Sequence, residues 1–431
     1  MVELKAFQGL RYNPKKVSNM RLVTAPPHDV ISPVDQDIYY QNSEHNVIRL
    51  ILGKEYKDDS SVNNRYTRAA ACLRDWLREE ILVRDTKPSL YVYEEDFPLD
   101  NGKRGRRLGF IALVKLEPFE KGVILPHEEI IAKSAEDRFK LIKECKANFS
   151  CIFSLYSDPH GVIQNRISAE IQREPVIDFV DANDIRHKIW VVDDARTVKK
   201  IIEEMKDKKL YIADGHHRYE SALSLSRLSR DSRYGYAMML LVDMNDPGLV
   251  VLPTHRLLRG LPKLDVKTLE ERLLDFFDMK VFSFGRDDEL AQRKKFFEAL
   301  ESEPKHSFGM FLGNGRYYLL SLKDDSFVSQ INEKKSLKWR SLDVSILHKL
   351  IIERVLGLKD QSGEKNIKYV KSREEALQLV YDGKYKMAFF MNPTQVSQIK
   401  DVADKGERMP PKSTYFFPKP LSGIVLNDFK S

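Results

Sequence analysis

The run Leu210-Tyr211-Ile212-Ala213-Asp214-Gly215-His216-His217-Arg218-Tyr219-Glu220 passes from a short apolar stretch to an abrupt polar turn. Beyond it Ala222, Leu225 and Leu228 recur at helical spacing. A strand that runs straight into a helix presents free backbone N–H groups and the positive end of the helix dipole to an anion. Gly215 lets backbone approach closely, His216 and His217 add side-chain donors, and Arg218 brings a planar fork that suits phosphate oxygens. Asp214 on its own reads as a helix cap. Capping needs one residue, however, and this turn gathers five, so the chemistry expected here is phosphate handling.

A second group is Leu125-Pro126-His127-Glu128-Glu129, followed by Lys133, Asp137, Arg138 and Lys140. Imidazole and carboxylate side by side can share a proton transfer, so His127 and Glu128 are candidate catalytic groups. Glu128 and Glu129 are candidate ligands for Mg²⁺, and Lys133 and Arg138 are candidate phosphate contacts. A zinc-protease reading fails, because His-Glu-x-x-His would need histidine where Ile131 stands. Without further information a solvated charged helix behind a strand-end histidine fits equally well. A third group, Lys412-Ser413-Thr414, has the lysine and hydroxyl of a P-loop but no preceding Gly-x-x-x-x-Gly. Lys412 and Ser413 remain phosphate contacts or parts of a packed tail.

These residues need elements to hold them. Strands are expected at Leu90 to Tyr93, Arg107 to Val114, Cys151 to Tyr156, Lys209 to Ala213 and Tyr236 to Asp243. Helices are expected at about Asn64 to Glu80, Lys133 to Ala147, Val198 to Asp207 and Arg218 to Leu228. Asn101-Gly102 turns the first two strands into a hairpin. The prolines of Thr24 to Pro33 make that stretch a loop or strand end. Past Pro262 come helices near Leu269 to Phe277 and Leu290 to Leu300, and a hairpin at Asn314-Gly315. Helices at Val344 to Val355 and Arg373 to Asp382, and a strand at Lys386 to Met391, follow. The tail from Met409 to Lys419 is too apolar to be a loose end and should pack back on the body. The class is mixed α/β (α+β), divided as 1–155, 156–262 and 263–431.

The chain has 431 residues, more than one hydrophobic core usually organises. Hydrophobic residues make up 42% and charged residues 31%, which excludes a disordered or fibrous class. Its 71 basic and 64 acidic residues nearly cancel to +7, which favours a small anionic substrate over a basic nucleic-acid face. Three cysteines without a Cys-x-x-Cys pair argue against a disulfide framework or zinc site. No apolar signal core or membrane-length run is present, so cytoplasmic residence is expected, with no membrane partner.

Asp214-Gly215-His216-His217-Arg218 resembles the phosphate-binding turn of the ParB/sulfiredoxin-like fold, including its free serine kinases. More broadly, the chain resembles domain-of-unknown-function family 1015. The matching stretches are Ala25 to Val30, Asn46 to Leu50, Pro126 to Glu129, Ile212 to Glu220, Leu342-Asp343-Val344 and Met409 to Lys419. The first departs from the family pattern with His28 where tyrosine is common, so His28 is left out of the expected site. The resemblance implies a ParB/sulfiredoxin-like core within 156–262 and phosphoryl transfer to free L-serine, giving O-phosphoserine. Inorganic pyrophosphate, ADP or ATP would be the donor. On that reading Gly215, His216, His217 and Arg218 hold the phosphoryl oxygens, and Asp214 or Glu128 accepts the serine hydroxyl proton. Asp29, Asn46 and Arg49 would bind the amino acid. The alternative is a ParB-like switch or nucleotide sensor without turnover. A DNA switch would follow the turn with a recognition helix, whereas an apolar strand at Tyr236 is expected here, so no specific nucleic acid is expected to bind.

Overall fold

The structure is a computed structural model that describes residues 1–99, 102–128, 132–229, 231–261, 265–303, 305–358 and 366–429, without the side chains of 132–134. Asn101, Glu129, Ile131, Pro262 and the Lys133 side chain, all named above, lie outside the described set. The chain forms two compact units. The first comprises Met1–Pro126, Ile130–Val250 and Pro418–Ser431, and the second His127–Glu129 and Val251–Phe417.

In the first unit a nine-stranded sheet is seen among the described residues. Its order is Ile124–Leu125, Leu210–Asp214, Ile152–Tyr156, Tyr236–Asp243, Arg104–Lys115, Leu90–Pro98, Arg186–Val192 and Ile177–Val180, with Leu4–Lys5 pairing beside Arg104–Lys115. The expected hairpin is present, with Tyr91 opposite Ile111 and Glu95 opposite Arg107. Leu210–Asp214 is parallel to Ile124–Leu125 and antiparallel to Ile152–Tyr156, and its register shifts between Ile212 and Asp214. Such a bulge re-aims the strand end, here the carboxylate of Asp214. Phe110, Val114, Ile152, Ile212 and Leu241 lie in the buried core beneath helices Ala132–Cys145 and His216–Leu228.

The division expected after residue 155 falls inside strand Ile152–Tyr156. Its neighbours Leu210–Asp214 and Tyr236–Asp243 come from beyond that point, so hydrogen bonding joins both sides in one sheet. The boundary expected after 262 lies outside the described residues. The proline-rich stretch leads into a helix, Pro33–Asn42, rather than ending as a loop. Pro33 occupies the first turn, where an N–H is not needed, and Ser32 and Asp35 form a capping box.

The second unit holds an antiparallel sheet ordered Phe277–Ser283, Arg316–Leu322, Ser307–Phe311, Met387–Met391, His255–Leu258 and Ile367–Val370. Phe296, Phe390, Tyr317 and Leu257 are buried on it. The helix expected to reach Phe277 ends at Leu274, and Phe277 opens a strand instead. The helix expected over Val344 to Val355 is one α-turn, Asp343–Ile346, followed by a π-helix, Leu347–Val355. Among the described residues no helix is long and apolar enough to cross a membrane.

Candidate functional site

Strand Leu210–Asp214 is buried along its length and delivers Asp214 to the turn with 7% of its surface exposed. Gly215 follows at φ 93°, in the left-handed region that favours glycine, and sits at the N-cap of helix His216–Leu228. A Cβ at this position would also lie 2.9 Å from Cζ of Arg218. The guanidinium therefore folds back over the glycine. Its Nη2 donates to Asp214 Oδ2 at 2.6 Å, and its Nη1 donates to the carbonyl of Cys151. Lys419 pairs with the other oxygen of Asp214. Burial acts to raise the Asp214 carboxyl pKa, but Lys419 and Arg218 outweigh it and hold the group well below the usual carboxylate range.

The helix is fixed from two sides. Tyr219 donates its hydroxyl to the carbonyl of Glu117 at 2.7 Å, and Ser221 Oγ donates to the carbonyl of Ala135 at 2.7 Å. His216 is buried at the helix start, within electrostatic reach of Asp214, and His217 is half-buried.

Beside the turn is a cavity of about 50 Å³ lined by His28, Arg138, Arg218, Ser150 and Ser221 among others. Arg138 is 6% exposed and donates from Nη1 to the carbonyl of Ile51 at 2.7 Å. Its Nε donates to Asp137 Oδ2 at 2.7 Å, and Asp137 also accepts from Tyr66. Burial, then Arg138 and Arg218, push the His28 imidazole down to about 2 against the pull of Asp137 and Asp214. It is neutral at pH 7. The space suits one or two waters, which is the scale of one tetrahedral oxyanion.

Arg138 and Arg218 line one cavity, and two residues that the sequence reading did not place there, His28 and Lys419, stand beside them. His28 had been left out because it departs from a family pattern. Lys419 was visible only as the end of an apolar tail, 205 residues from its partner.

Other candidates are placed differently. Asn46 is fully buried, and its side chain donates to the carbonyls of Leu22 and Thr24 while accepting from the N–H of Ile48. All three of these bonds are to the backbone. Arg49 lies over the Tyr40 ring, 4.4 Å from its centroid, and donates to the Tyr40 carbonyl. Asp29 is exposed on the short turn His28–Val30. Asp214 is paired on both oxygens, with Arg218 on one and Lys419 on the other.

His127, Glu128, Lys412 and Ser413 belong to the second unit. His127 is fully buried, with Nε2 2.8 Å from Thr414 Oγ1 and its carbonyl accepting from the N–H of Met409 at 2.7 Å. Glu128 bridges to Met409 and lies within electrostatic reach of Arg256. Within this unit the tail does pack back, with Met409, Ser413 and Phe416 buried. Ser413 Oγ donates to the carbonyl of Pro410 at 2.5 Å, within its own turn. Lys412 is exposed at φ 58°. Glu129 and the Lys133 side chain lie outside the described set. Among the described residues no three His, Cys, Asp or Glu side chains gather as a metal site.

Comparison with known proteins returns no curated match. A conserved hypothetical protein from Pyrococcus furiosus is 14% identical at a TM-score of 0.33, covering 72% of this chain and 93% of that one. A free serine kinase in complex with AMP is 14% identical at 0.32, covering 68% and 84%. SbnI with a C-terminal truncation, from Staphylococcus aureus, is 12% identical at 0.35, covering 72% and 85%. The family described as protein of unknown function, DUF1015, matches residues 4–345, and this chain belongs to it.

Proposed function

We propose that the chain is a small-molecule phosphotransferase that moves a phosphoryl group from pyrophosphate or an adenine nucleotide to the hydroxyl of free L-serine. The observation that supports this reading is the cavity beside the turn, where the Arg138 and Arg218 guanidinium groups converge with a neutral His28 at the first turn of helix His216–Leu228. Phosphoryl transfer asks little covalent chemistry of a protein beyond positioning and charge neutralisation. The two guanidinium groups and the helix-start amides would neutralise the oxygens of the transferred group. Lys419 and Asp214 would keep Arg218 in place. As the serine oxygen bonds to phosphorus and the bond from phosphorus to the leaving oxygen breaks, the hydroxyl proton would pass to an oxygen of the departing group or to solvent, since both oxygens of Asp214 are committed to ion pairs.

A second reading, a nucleotide sensor without turnover, draws support from one feature. The Arg218 fork is already engaged by Asp214 and the Cys151 carbonyl, which suits steady holding of an anion. A donor-by-acceptor screen on purified protein separates the two, with O-phosphoserine as the readout and pyrophosphate, ADP and ATP as donors. Product with any of them supports the kinase. Saturable donor binding without product from any donor supports the sensor.

A further inference from the structure

The second unit contains a cavity of about 270 Å³, far larger than the one at the turn. Its floor is the π-helix Leu347–Val355, which contributes His348, Lys349, Ile352 and Glu353. Bonds from i to i+5 widen each turn, so residues four and five apart share a face; this is how His348 and the Ile352–Glu353 pair reach the same space. Single π-helical turns are uncommon and frequently mark functional sites.

The walls divide by chemistry. Trp339, Tyr369, Pro410 and Pro411 offer flat apolar faces, the lining expected of a small-molecule site with a few placed polar groups. Lys335 stands over the Trp339 ring, 5.6 Å from its centroid, and no carboxylate pairs with it among the described residues. His348 Nε2 is shielded from solvent and has no hydrogen-bond partner among the described residues. Buried polar atoms are nearly always satisfied, so an orphan lining a cavity calls for an explanation. Burial, then Arg256 and Lys349, hold the imidazole neutral, pushed down to about 3.

We propose that this cavity binds a mononucleotide-like ligand, a planar ring seated against Trp339 and Tyr369 with an edge atom hydrogen-bonded to His348 Nε2 and an anionic group meeting Lys335. The ring answers the flat walls and the orphaned nitrogen, and the anion answers the unpaired ammonium. Neither a donor nor an acceptor at Asp214–Arg218 is needed for this binding.

The test titrates the full chain with AMP, using adenosine and pyrophosphate as partial ligands, and reads both equilibrium dialysis and tryptophan fluorescence. Of the three tryptophans, Trp339 alone lines the cavity. The expected result is saturable AMP quenching that disappears in Trp339→Phe and weakens about tenfold or more in Lys335→Met and His348→Gln, as loss of a hydrogen bond to a charged group or a buried partner implies. Adenosine and pyrophosphate should each bind more weakly than AMP, and Arg218→Lys should leave the Trp339 quench intact. Lys335→Met changes a half-buried surface side chain and keeps the test open should His348→Gln fail to fold. Absence of saturable AMP binding overturns the proposal. So does quenching that is insensitive to Lys335→Met, or that is lost in Arg218→Lys; the last result would move the nucleotide to the Asp214 turn and leave the phosphotransfer reading standing.

Discussion

Lys419 closes an ion pair on Asp214 across 205 residues of sequence, taking the carboxylate oxygen that Arg218 leaves open. Both partners are about nine-tenths buried. Removing one partner of a buried pair leaves the other charge uncompensated, at a typical cost of about 3–5 kcal/mol. Lys419→Met should lower unfolding free energy by less than that amount in denaturant titration, because Arg218 still pairs with Asp214. The double variant with Asp214→Asn should lose less than the two single losses combined, since each removes the burden left by the other. Additive losses would mean that the two side chains do not act as a pair.

That pair also explains what was legible in the sequence. The turn from Asp214 to Arg218 was readable because strand, glycine and helix are contiguous and each obeys a local rule. His28, Arg138 and Lys419 reach the same place from three distant stretches, and no local pattern encodes such convergence. Arg107 shows the same limit from the other side. In sequence it closes a charged run, Arg104 to Arg107, and opens the expected strand Arg107 to Val114, with nothing local to mark it as buried. Folded, it is 1% exposed, because hairpin register sets it opposite Glu95, which it pairs with.

Arg107 also donates to the carbonyl of Pro418, the residue before Lys419. The buried Arg107–Glu95 pair is thus a clamp on the tail. Arg107→Met should release residues 418–429 to limited proteolysis and reproduce the functional defect of Lys419→Met, although Arg107 does not line the cavity beside the turn. A tail that stays protected in a folded Arg107→Met variant would show that other contacts suffice.

Gly215→Ala meets two obstacles, a left-handed φ of 93° and a Cβ 2.9 Å from the Arg218 guanidinium. The backbone term alone is about 1–2 kcal/mol. The variant should fold with a lower melting temperature and weaker donor binding, because the guanidinium must shift. Unchanged donor affinity would show that Arg218 does not need this position.

Acid stability carries the mark of His28. Its imidazole is held at about 2 in the folded protein, against an ordinary value near 6.5 when unfolded. Between those values the unfolded chain binds a proton that the folded chain does not, so stability falls as pH falls through this window. The slope is about 1.4 kcal/mol per pH unit for one proton. His255 and His348, each pushed down to about 3 by burial, add to the loss. Asp214 behaves with the same sign over a lower range: its depressed pKa contributes stability that is complete above the usual carboxylate value and lost as pH drops toward the folded value. In denaturant titrations from pH 6 to 4, His28→Gln should reduce the slope by about one proton. A slope equal to the parent's would mean that His28 is charged in the folded state.

Kinetics separate anchoring from proton acceptance. Asn at 214 keeps the shape of the aspartate but not its charge, so Arg218 and Lys419 lose their common partner and the phosphate-facing fork loses its fixed orientation. If Asp214 anchors, Asp214→Asn and Lys419→Met should share one signature: a raised KM for the donor, with whatever fall in kcat follows from a displaced Arg218. A lost proton acceptor leaves donor binding intact and lowers kcat by roughly 10²- to 10⁴-fold. The depressed carboxyl pKa is the reason for assigning Asp214 to anchoring, since a group that gives up its proton so readily is a weak acceptor near neutral pH. Should Asp214→Asn, folded by its melting transition, lose kcat alone while Lys419→Met raises KM alone, Asp214 is the proton acceptor despite its two ion pairs.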